Sequence, residues 1–279
     1  MSPFDPPPAA VRDIVTRALA EDLGLLGDLT SLAVIPADAV GSGRFVTRAD
    51  GVLAGTAAAT ETFRQLDPAV TVDWLVGDGA PIRAGADLGT VSGPLRPVLT
   101  GERTALNLLR HCSAIASLTN RFVEAAAGRT RILDTRKTTP GLRALEKAAV
   151  RAGGGVNHRE SLSDAVLIKD NHLVACDLGE AIGRAQAQWP GRLVECECDT
   201  LDQVVAARAA GADRILLDNM SPELVKEAIG LLEGMVPVEV SGNVNLETIG
   251  AYAAVEPDFV SVGAITHSAG QLDLALDFD

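Results

Sequence analysis

The chain has 279 residues, of which 47% are hydrophobic but only 3% aromatic. It is long enough for one large barrel or two modest domains, with a core of Ala, Val, Leu and Ile. A formal net charge of -13 excludes general binding to nucleic acid or to an anionic membrane surface, so any anionic ligand needs a local basic pocket working against the global field.

The N-terminal Met-Ser-Pro-Phe-Asp-Pro-Pro-Pro lacks a basic region followed by an apolar run, and no apolar stretch reaches membrane-spanning length. The expectation is a soluble, cytoplasmic protein with a frayed proline-rich start. Helical spacing follows over Ala9–Leu23, with Val11, Ile14, Val15, Ala18 and Leu19 on one face, and Asp28–Ser31 reads as a polar loop. From Gly43 to Gly93 short strands are expected at Arg44–Thr47, Val52–Ala54, Val70–Val76 and Leu88–Val91, with a helix over Thr56–Leu66. This stretch reads as a small α+β domain with an antiparallel sheet. Pro94 and Pro97 mark a boundary, after which a long helix is expected from near Thr100 to Ala127, stopped by Gly128.

From Arg131 onward the chain alternates. Strands are expected at Arg131–Asp134, Ala165–Ile168, Leu193–Cys198, Arg214–Leu217, Val236–Val240 and Phe259–Val262. Helices are expected at Leu142–Ala152, Leu178–Gln188, Leu201–Ala210, Pro222–Leu232 and Leu246–Ala253. Apolar strands alternating with helices imply a parallel sheet covered by helices. The polar residues cluster just after the strands, where a β/α barrel places its active site, and no Gly-rich dinucleotide fingerprint follows any strand. The four cysteines, Cys112, Cys176, Cys196 and Cys198, read as small buried hydrophobes in a reducing compartment rather than as metal ligands.

The chain holds four lysines, Lys137, Lys147, Lys169 and Lys226, and between Asp134 and His172 seven Arg or Lys face five Asp or Glu. A locally basic segment in an acidic protein suggests a pocket for a small, highly charged anion. Asp134-Thr135-Arg136-Lys137-Thr138-Thr139-Pro140-Gly141 offers a planar guanidinium fork, a compact ammonium and further anion donors at one strand end. Gly153-Gly154-Gly155-Val156-Asn157-His158-Arg159 joins a backbone able to approach a ligand closely to a candidate anion clamp. Lys169, in Leu167-Ile168-Lys169-Asp170-Asn171-His172, stands where it can be either a Schiff-base nucleophile or a cation for a carboxylate or phosphate.

Glu195, Glu197 and Asp199 share one face of a strand by period-two spacing, and Asp218-Asn219 ends the next. Carboxylates on a barrel-lining strand are costly unless they meet a cation, a metal or a ligand hydroxyl. Glu197 and Asp218 are therefore candidates for ribose hydroxyls, a hydrated magnesium ion, or both. The last two strands end in Ser241-Gly242-Asn243 and Val262-Gly263-Ala264, small residues suited to cradling a phosphate with backbone N–H groups.

Taken in order and spacing, D-T-R-K-T-T-P-G-L-R, G-G-G-V-N-H-R, L-I-K-D-N-H, E-C-E-C-D, L-L-D-N-M, E-V-S-G-N and V-G-A-I-T-H-S resemble the quinolinate phosphoribosyltransferases, also called nicotinate-nucleotide pyrophosphorylases (carboxylating). Gly101-Glu102-Arg103-Thr104-Ala105-Leu106-Asn107 and Glu21-Asp22…Gly27-Asp28-Leu29-Thr30-Ser31 match as well. The resemblance implies an α/β fold: an incomplete, seven-stranded β/α barrel (residues 106–267) with an N-terminal α+β sandwich domain (1–105) and a C-terminal segment (268–279) packing back on that domain. It also implies a homodimer, or a higher oligomer, with Arg103 reaching into the partner's active site.

By the same resemblance Arg103, Thr135, Arg136, Lys137, His158, Arg159 and Lys169 surround quinolinate and the anionic groups of phosphoribosyl pyrophosphate. Glu197 and Asp218 face the ribose and Mg2+, with Lys137, Lys169, Glu197 and Asp218 catalytic. Ser241, Gly242, Asn243, Val262, Gly263 and Ala264 hold the 5-phosphate. The expected activity is phosphoribosyl transfer with decarboxylation, giving nicotinate mononucleotide for NAD biosynthesis. Ser161 stands where the family usually shows Gly and Ala148 where Tyr is expected. A molybdenum-associated branch of the fold departs at the R-K and K-D-N-H motifs, both kept here. Two rivals are a barrel Schiff-base lyase using Lys169 and a non-catalytic anion-binding protein.

Overall fold

The computed structural model describes residues 4–278; the first three residues of the proline-rich start and Asp279 lie outside the described part. In chain order the first elements are α1 (Pro8–Leu23), α2 (Leu29–Val34), β1 (Val40–Thr47), β2 (Gly51–Val52), α3 (Thr56–Leu66), β3 (Thr71–Trp74), β4 (Pro81–Ile82), β5 (Asp87–Pro94) and α4 (Leu95–Ala126). Then come β6 (Arg131–Leu133), α5 (Arg143–Ala152), β7 (Val166–Ile168), α6 (Leu178–Gln188), β8 (Val194–Cys198), α7 (Leu201–Ala209), β9 (Arg214–Asp218), α8 (Pro222–Leu232), β10 (Val238–Ser241), α9 (Ile249–Ala253), β11 (Phe259–Ser261), α10 (Ala264–His267) and β12 (Leu274–Phe278). They form two compact units.

The first unit runs to Asn120 and takes in Thr138–Gly154 and the residues from Ile265 on. Its antiparallel sheet has the order β12-β1-β5-β3. Alternation along β1 buries Gly43, Phe45 and Thr47, and Phe45 stacks on Trp74 with ring centroids 4.7 Å apart. Phe63 of α3, Leu88, Val91, Leu109 and Leu276 complete this core. β12 pairs with β1 from Gly43↔Phe278 to Thr47↔Leu274.

Three expectations are corrected in this unit. Asp28–Ser31 is not a loop: the Asp28 carboxylate accepts the Ser31 N–H at 2.9 Å and caps α2. The long helix starts at Leu95, not Thr100, because Pro97 lies in its first turn, where the missing N–H leaves no bond unmade. The described part of the proline-rich start is held, with Arg151 donating to the carbonyls of Phe4 and Asp5 at 3.4 and 3.3 Å.

The second unit consists of Arg121–Lys137 and Gly155–Ala264. Six parallel strands lie in the order β6-β11-β10-β9-β8-β7. On the far side of β6, Leu133 forms a parallel bridge with Val156. Helices alternate with the strands, and their caps explain where they begin. Asp177 accepts from the Glu180 amide, Thr200 and Gln203 form a reciprocal box, and Pro222 opens α8 behind Ser221. The helix expected from Leu246 starts only at Ile249, because the Asn245 side chain accepts the amides of Glu247 and Thr248 and holds a turn there. β9 and β10 each run further than expected, so that Asp218 and Ser241 are their last residues.

The four cysteines are unpaired. Among the described residues no helix is long and apolar enough to cross a membrane.

Candidate active site

Parallel strands bring all their C-terminal ends to one edge of the sheet, and the basic and acidic motifs of the second unit meet there. At the end of β6, Asp134 is fully buried. It accepts the His158 amide at 2.8 Å and the Asn157 side chain at 2.6 Å. One carboxylate thus ties the Arg136–Lys137 cluster to the Asn157–Arg159 cluster. Thr135 turns the chain, its hydroxyl accepting the Lys137 amide at 3.0 Å.

Arg159 is half-buried, and its guanidinium donates to the Ala165 carbonyl at 3.0 Å. Burial, and then the like charge of Arg136, push Arg159 below its ordinary arginine range. The Glu195 and Asp164 carboxylates offset part of this, and a carboxylate or phosphate bound beside the two guanidinium groups would offset more. Ser161, where Gly was expected, is accommodated: its amide and hydroxyl both bond Asp164 at 2.9 Å. Of the glycine run, Gly153 serves packing rather than ligand approach, since a Cβ there would lie 2.3 Å from the Ala116 carbonyl within the first unit. Ala148 is buried on α5.

The Lys169 ammonium is paired with the Glu197 carboxylate. The Lys169 backbone amide donates to His172 Nδ1 at 2.9 Å. Along β8 Glu195 is buried and Glu197 half-buried, and Asp199, just beyond the strand, is exposed. Asp218 accepts from Ser241 Oγ at 2.5 Å and from the Asn219 amide group at 2.6 Å, and Asn243 donates to Asn219 Oδ1 at 3.2 Å. Gly242 has φ +93°, and a Cβ on it would stand 2.2 Å from Asn219 Oδ1. Asp218, Asn219 and Ser241–Asn243 therefore form one knot. Val262 is buried, and its amide donates to the Leu133 carbonyl at 3.0 Å. Gly263 and Ala264 follow half-buried, the latter opening the four-residue α10. Arg103 belongs to the first unit, exposed on α4, 3.9 Å from Glu102.

Residues not picked out as candidates lie beneath His158. Its Nε2 is 3.0 Å from Glu195 and 3.4 Å from Glu239, both buried. Glu239 also pairs with Arg214 at 3.2 Å and accepts the Ser261 hydroxyl. Glu239 was legible in E-V-S-G-N, two residues before Ser241 and hence on its face; Arg214 and Ser261 stand at opposite ends of β9 and β11 and carried no motif signal. The ligand atoms of His158, Glu195 and Glu239 lie within 4.8 Å of one another, but the Arg214 guanidinium already supplies a cation to this cluster, which argues against a metal centre.

The charge of the cluster follows from its burial. Burial alone would lower His158, but its hydrogen bonds to Glu195 and Glu239 outweigh this and raise it to about 9. Burial likewise pushes the Glu195 carboxyl up. Burial would raise Glu239 too, yet its hydrogen bonds from His158 and Ser261 hold it below its ordinary range. The Arg159 amide faces His158 Nδ1 at 2.9 Å, an acceptor position that only the neutral ring fills. Two buried carboxylates against one guanidinium leave a negative charge inside the sheet, and an uncompensated buried charge costs far more than turning one amide. Burial and hydrogen bonding thus favour a proton on this cluster, shared between His158 and Glu195.

Comparison with known proteins finds relatives along nearly the whole chain. The family model for the quinolinate phosphoribosyl transferase N-terminal domain matches residues 28–113, and that for the C-terminal domain matches residues 115–277. A nicotinate-nucleotide pyrophosphorylase (carboxylating) of Mycobacterium leprae is 43% identical over 278 residues, covering 96% of this chain and 97% of that protein. A chloroplastic relative from Arabidopsis thaliana is 37% identical over 302 residues, covering 100% of this chain and 86% of that protein. Among solved structures, NadC from Streptococcus pyogenes superposes with a TM-score of 0.94 at 40% identity, covering 98% of this chain and 97% of its own. The nicotinate-nucleotide pyrophosphorylase from Francisella tularensis gives 0.93 at 38% identity, covering 99% and 98%. The chain belongs to the quinolinate phosphoribosyltransferase family.

Proposed function

We propose that the protein joins quinolinate to phosphoribosyl pyrophosphate and releases pyrophosphate and carbon dioxide, giving nicotinate mononucleotide for NAD biosynthesis. The observation that carries the reading is that the buried Asp134 ties the Asn157–Arg159 segment to the Thr135–Lys137 strand end, on the sheet edge where Lys169 pairs with Glu197. Both substrates are polyanions, and without counter-charge they would repel one another. Arg136, Lys137, His158, Arg159 and Lys169, with Thr135, are read as the groups that hold them in line, and such positioning is worth several kcal/mol, roughly 7–11 at the limit. Arg103, on the exposed face of α4, is read as reaching the active site of a partner in a homodimer or a higher oligomer.

In this reading the quinolinate ring nitrogen attacks the anomeric carbon as its bond to pyrophosphate breaks. Glu197 and Asp218 hold the ribose hydroxyls and face the developing positive charge. The knot of Ser241–Asn243 and the segment Val262–Ala264 hold the 5-phosphate. Decarboxylation follows on the alkylated, positively charged ring, which accepts the electrons left by the departing carboxylate and then takes a proton.

The carboxylate oxygens of Glu197 and Asp218, on the hydrogen-bonded neighbours β8 and β9, fit Mg2+. That ion takes one or two protein carboxylates and keeps water and phosphate oxygens for the rest, and both carboxylates here have protein partners already. When bound, the ion neutralises charge on the departing pyrophosphate.

The parallel sheet is read as a seven-stranded, incomplete barrel in which Val156, bridged to Leu133, stands for the seventh strand. Residues 1–105, 106–267 and 268–279 are read as the sandwich domain, the barrel and the returning C-terminal segment, and the protein as cytoplasmic. Lys169 is paired with a carboxylate rather than desolvated in an apolar pocket, the setting that makes a lysine a nucleophile, so the Schiff-base reading has no support.

The test is product formation from phosphoribosyl pyrophosphate and Mg2+ with quinolinate or nicotinate as acceptor. Nicotinate mononucleotide is expected only with quinolinate, with one carbon dioxide per turnover. Activity with nicotinate instead overturns the substrate, and silence with both overturns the reaction.

A further inference from the structure

We propose that Glu239 is a positioning residue for the acceptor site: with Glu195 it holds His158 by Nε2, and His158 Nδ1 in turn holds the Arg159 amide at 2.9 Å, so that Arg159 meets an acceptor carboxylate in one orientation. The identity of that acceptor rests on the functional reading above; the clamp itself rests on the geometry.

His158 is gripped from three strands. Asp134, beyond β6, fixes its backbone amide at 2.8 Å. Glu195 of β8 and Glu239 of β10 engage the ring at 3.0 and 3.4 Å. Glu239 is itself fixed from both neighbouring strands, by Arg214 of β9 at 3.2 Å and by the Ser261 hydroxyl of β11. Arg214 in turn lies over the Phe259 ring at 4.4 Å, which restrains it. Every strand from β8 to β11, together with β6, thus contributes to the placement of one imidazole.

Apart from Arg131, Glu197, Asp218 and Ser241, the rest of these strands is Val, Ile, Leu and Cys. Apolar residues at the same positions would give a core at least as stable as a buried array of ions. A costly array that converges on one ring, next to the crowded pair Arg136 and Arg159, is the arrangement expected of groups that support a binding site.

The charged and titratable groups facing His158 are Glu195, Glu239 and Asp134, with Arg214 behind the carboxylates and Arg159 beside the ring. Removing the Glu239 charge while keeping its shape leaves Arg214 only the longer 3.9 Å contact to Glu195 and tips the ring toward its neutral form. The effect should fall on the acceptor, which Arg159 beside the ring is read to hold, rather than on phosphoribosyl pyrophosphate, whose ribose and phosphate are read against Glu197, Asp218, Ser241–Asn243 and Val262–Ala264.

The experiment compares wild type, Glu239→Gln and Ser261→Ala in steady-state kinetics with each substrate varied, across pH 6 to 10. For Glu239→Gln, KM for quinolinate should rise about tenfold while KM for phosphoribosyl pyrophosphate stays within about twofold. The alkaline limb of kcat/KM for quinolinate should move to lower pH by about one unit. Ser261→Ala should shift both in the same direction by less. The NMR titration of His158 in the unliganded protein should follow the same order.

An unmoved alkaline limb with unchanged KM values overturns the proposal. So does an equal rise in both KM values, which signals general loosening. If Glu239→Gln fails to fold, Ser261→Ala carries the test, and an unshifted limb in it overturns the proposal as well. If wild type does not use quinolinate, the functional reading fails on its own, and the NMR titration still decides whether Glu239 sets the state of the His158 ring.

Discussion

Ser241 donates its hydroxyl to Asp218 at 2.5 Å, and the two are register partners at the very ends of β10 and β9. The bond sets one oxygen of Asp218 while the Asn219 side chain holds the other at 2.6 Å. The carboxylate proposed to face the ribose is therefore oriented by the residue proposed to begin the phosphate cradle. A hydrogen bond to a charged group contributes about 1.5–3 kcal/mol. Ser241→Ala should lower kcat/KM for phosphoribosyl pyrophosphate by roughly 10–100-fold and leave the secondary structure by circular dichroism unchanged.

Gly242 gives a steric prediction at the same knot. Its φ of +93° disfavours any side chain, and a Cβ would stand 2.2 Å from Asn219 Oδ1. Gly242→Ala should destabilise the protein by about 1–3 kcal/mol and release Asn219 from Asn243. The readouts are the thermal midpoint and KM for phosphoribosyl pyrophosphate. An unchanged midpoint would show that the loop yields without cost.

Gly242 also shows how far a sequence reaches. A small residue in the late strand-end loop is visible, but its reason is a side chain from the preceding strand end, 23 positions away from its neighbour Asn219 by chain and adjacent only after the sheet forms. The same holds for Arg214 and Ser261. Each is an ordinary strand residue by local pattern, and the convergence on His158 exists only in the register of β8 to β11. Strand-end logic did put Lys169 and Asp218 at the ends of β7 and β9, because each is one step beyond a short apolar run. The errors fell at turns and caps, as at Asp28 and Asn245, where one side-chain hydrogen bond moves a helix boundary by several residues.

The crowding of Arg136 and Arg159 predicts a stability–function conflict. Arg159 lies below its ordinary range because of burial and its neighbour's charge, so the unliganded protein carries a repulsion that an anion relieves. Pyrophosphate or quinolinate should raise the thermal midpoint of wild type. Arg159→Met should raise the midpoint of the unliganded protein, abolish the increment given by quinolinate, and cut turnover by about two orders of magnitude or more. A liganded increment retained in Arg159→Met would remove Arg159 from the anion site.

The His158 cluster predicts how stability depends on pH. Burial alone would lower His158, but its bonds to Glu195 and Glu239 raise it to about 9 from an ordinary 6.5. The folded protein thus holds a proton that the unfolded chain releases near 6.5. A raised folded value contributes stability that is complete below the unfolded value and is lost as pH rises through the folded one. The thermal midpoint should therefore fall between pH 7 and pH 9.5, on top of any global trend from the net charge. His158→Asn removes the proton site, and Glu239→Gln removes one of the two carboxylates that raise it, so the first should abolish this component and the second should shrink it. The comparison is a thermal scan of the three proteins at matched ionic strength. Parallel curves for all three would mean that the His158 cluster does not hold the proton.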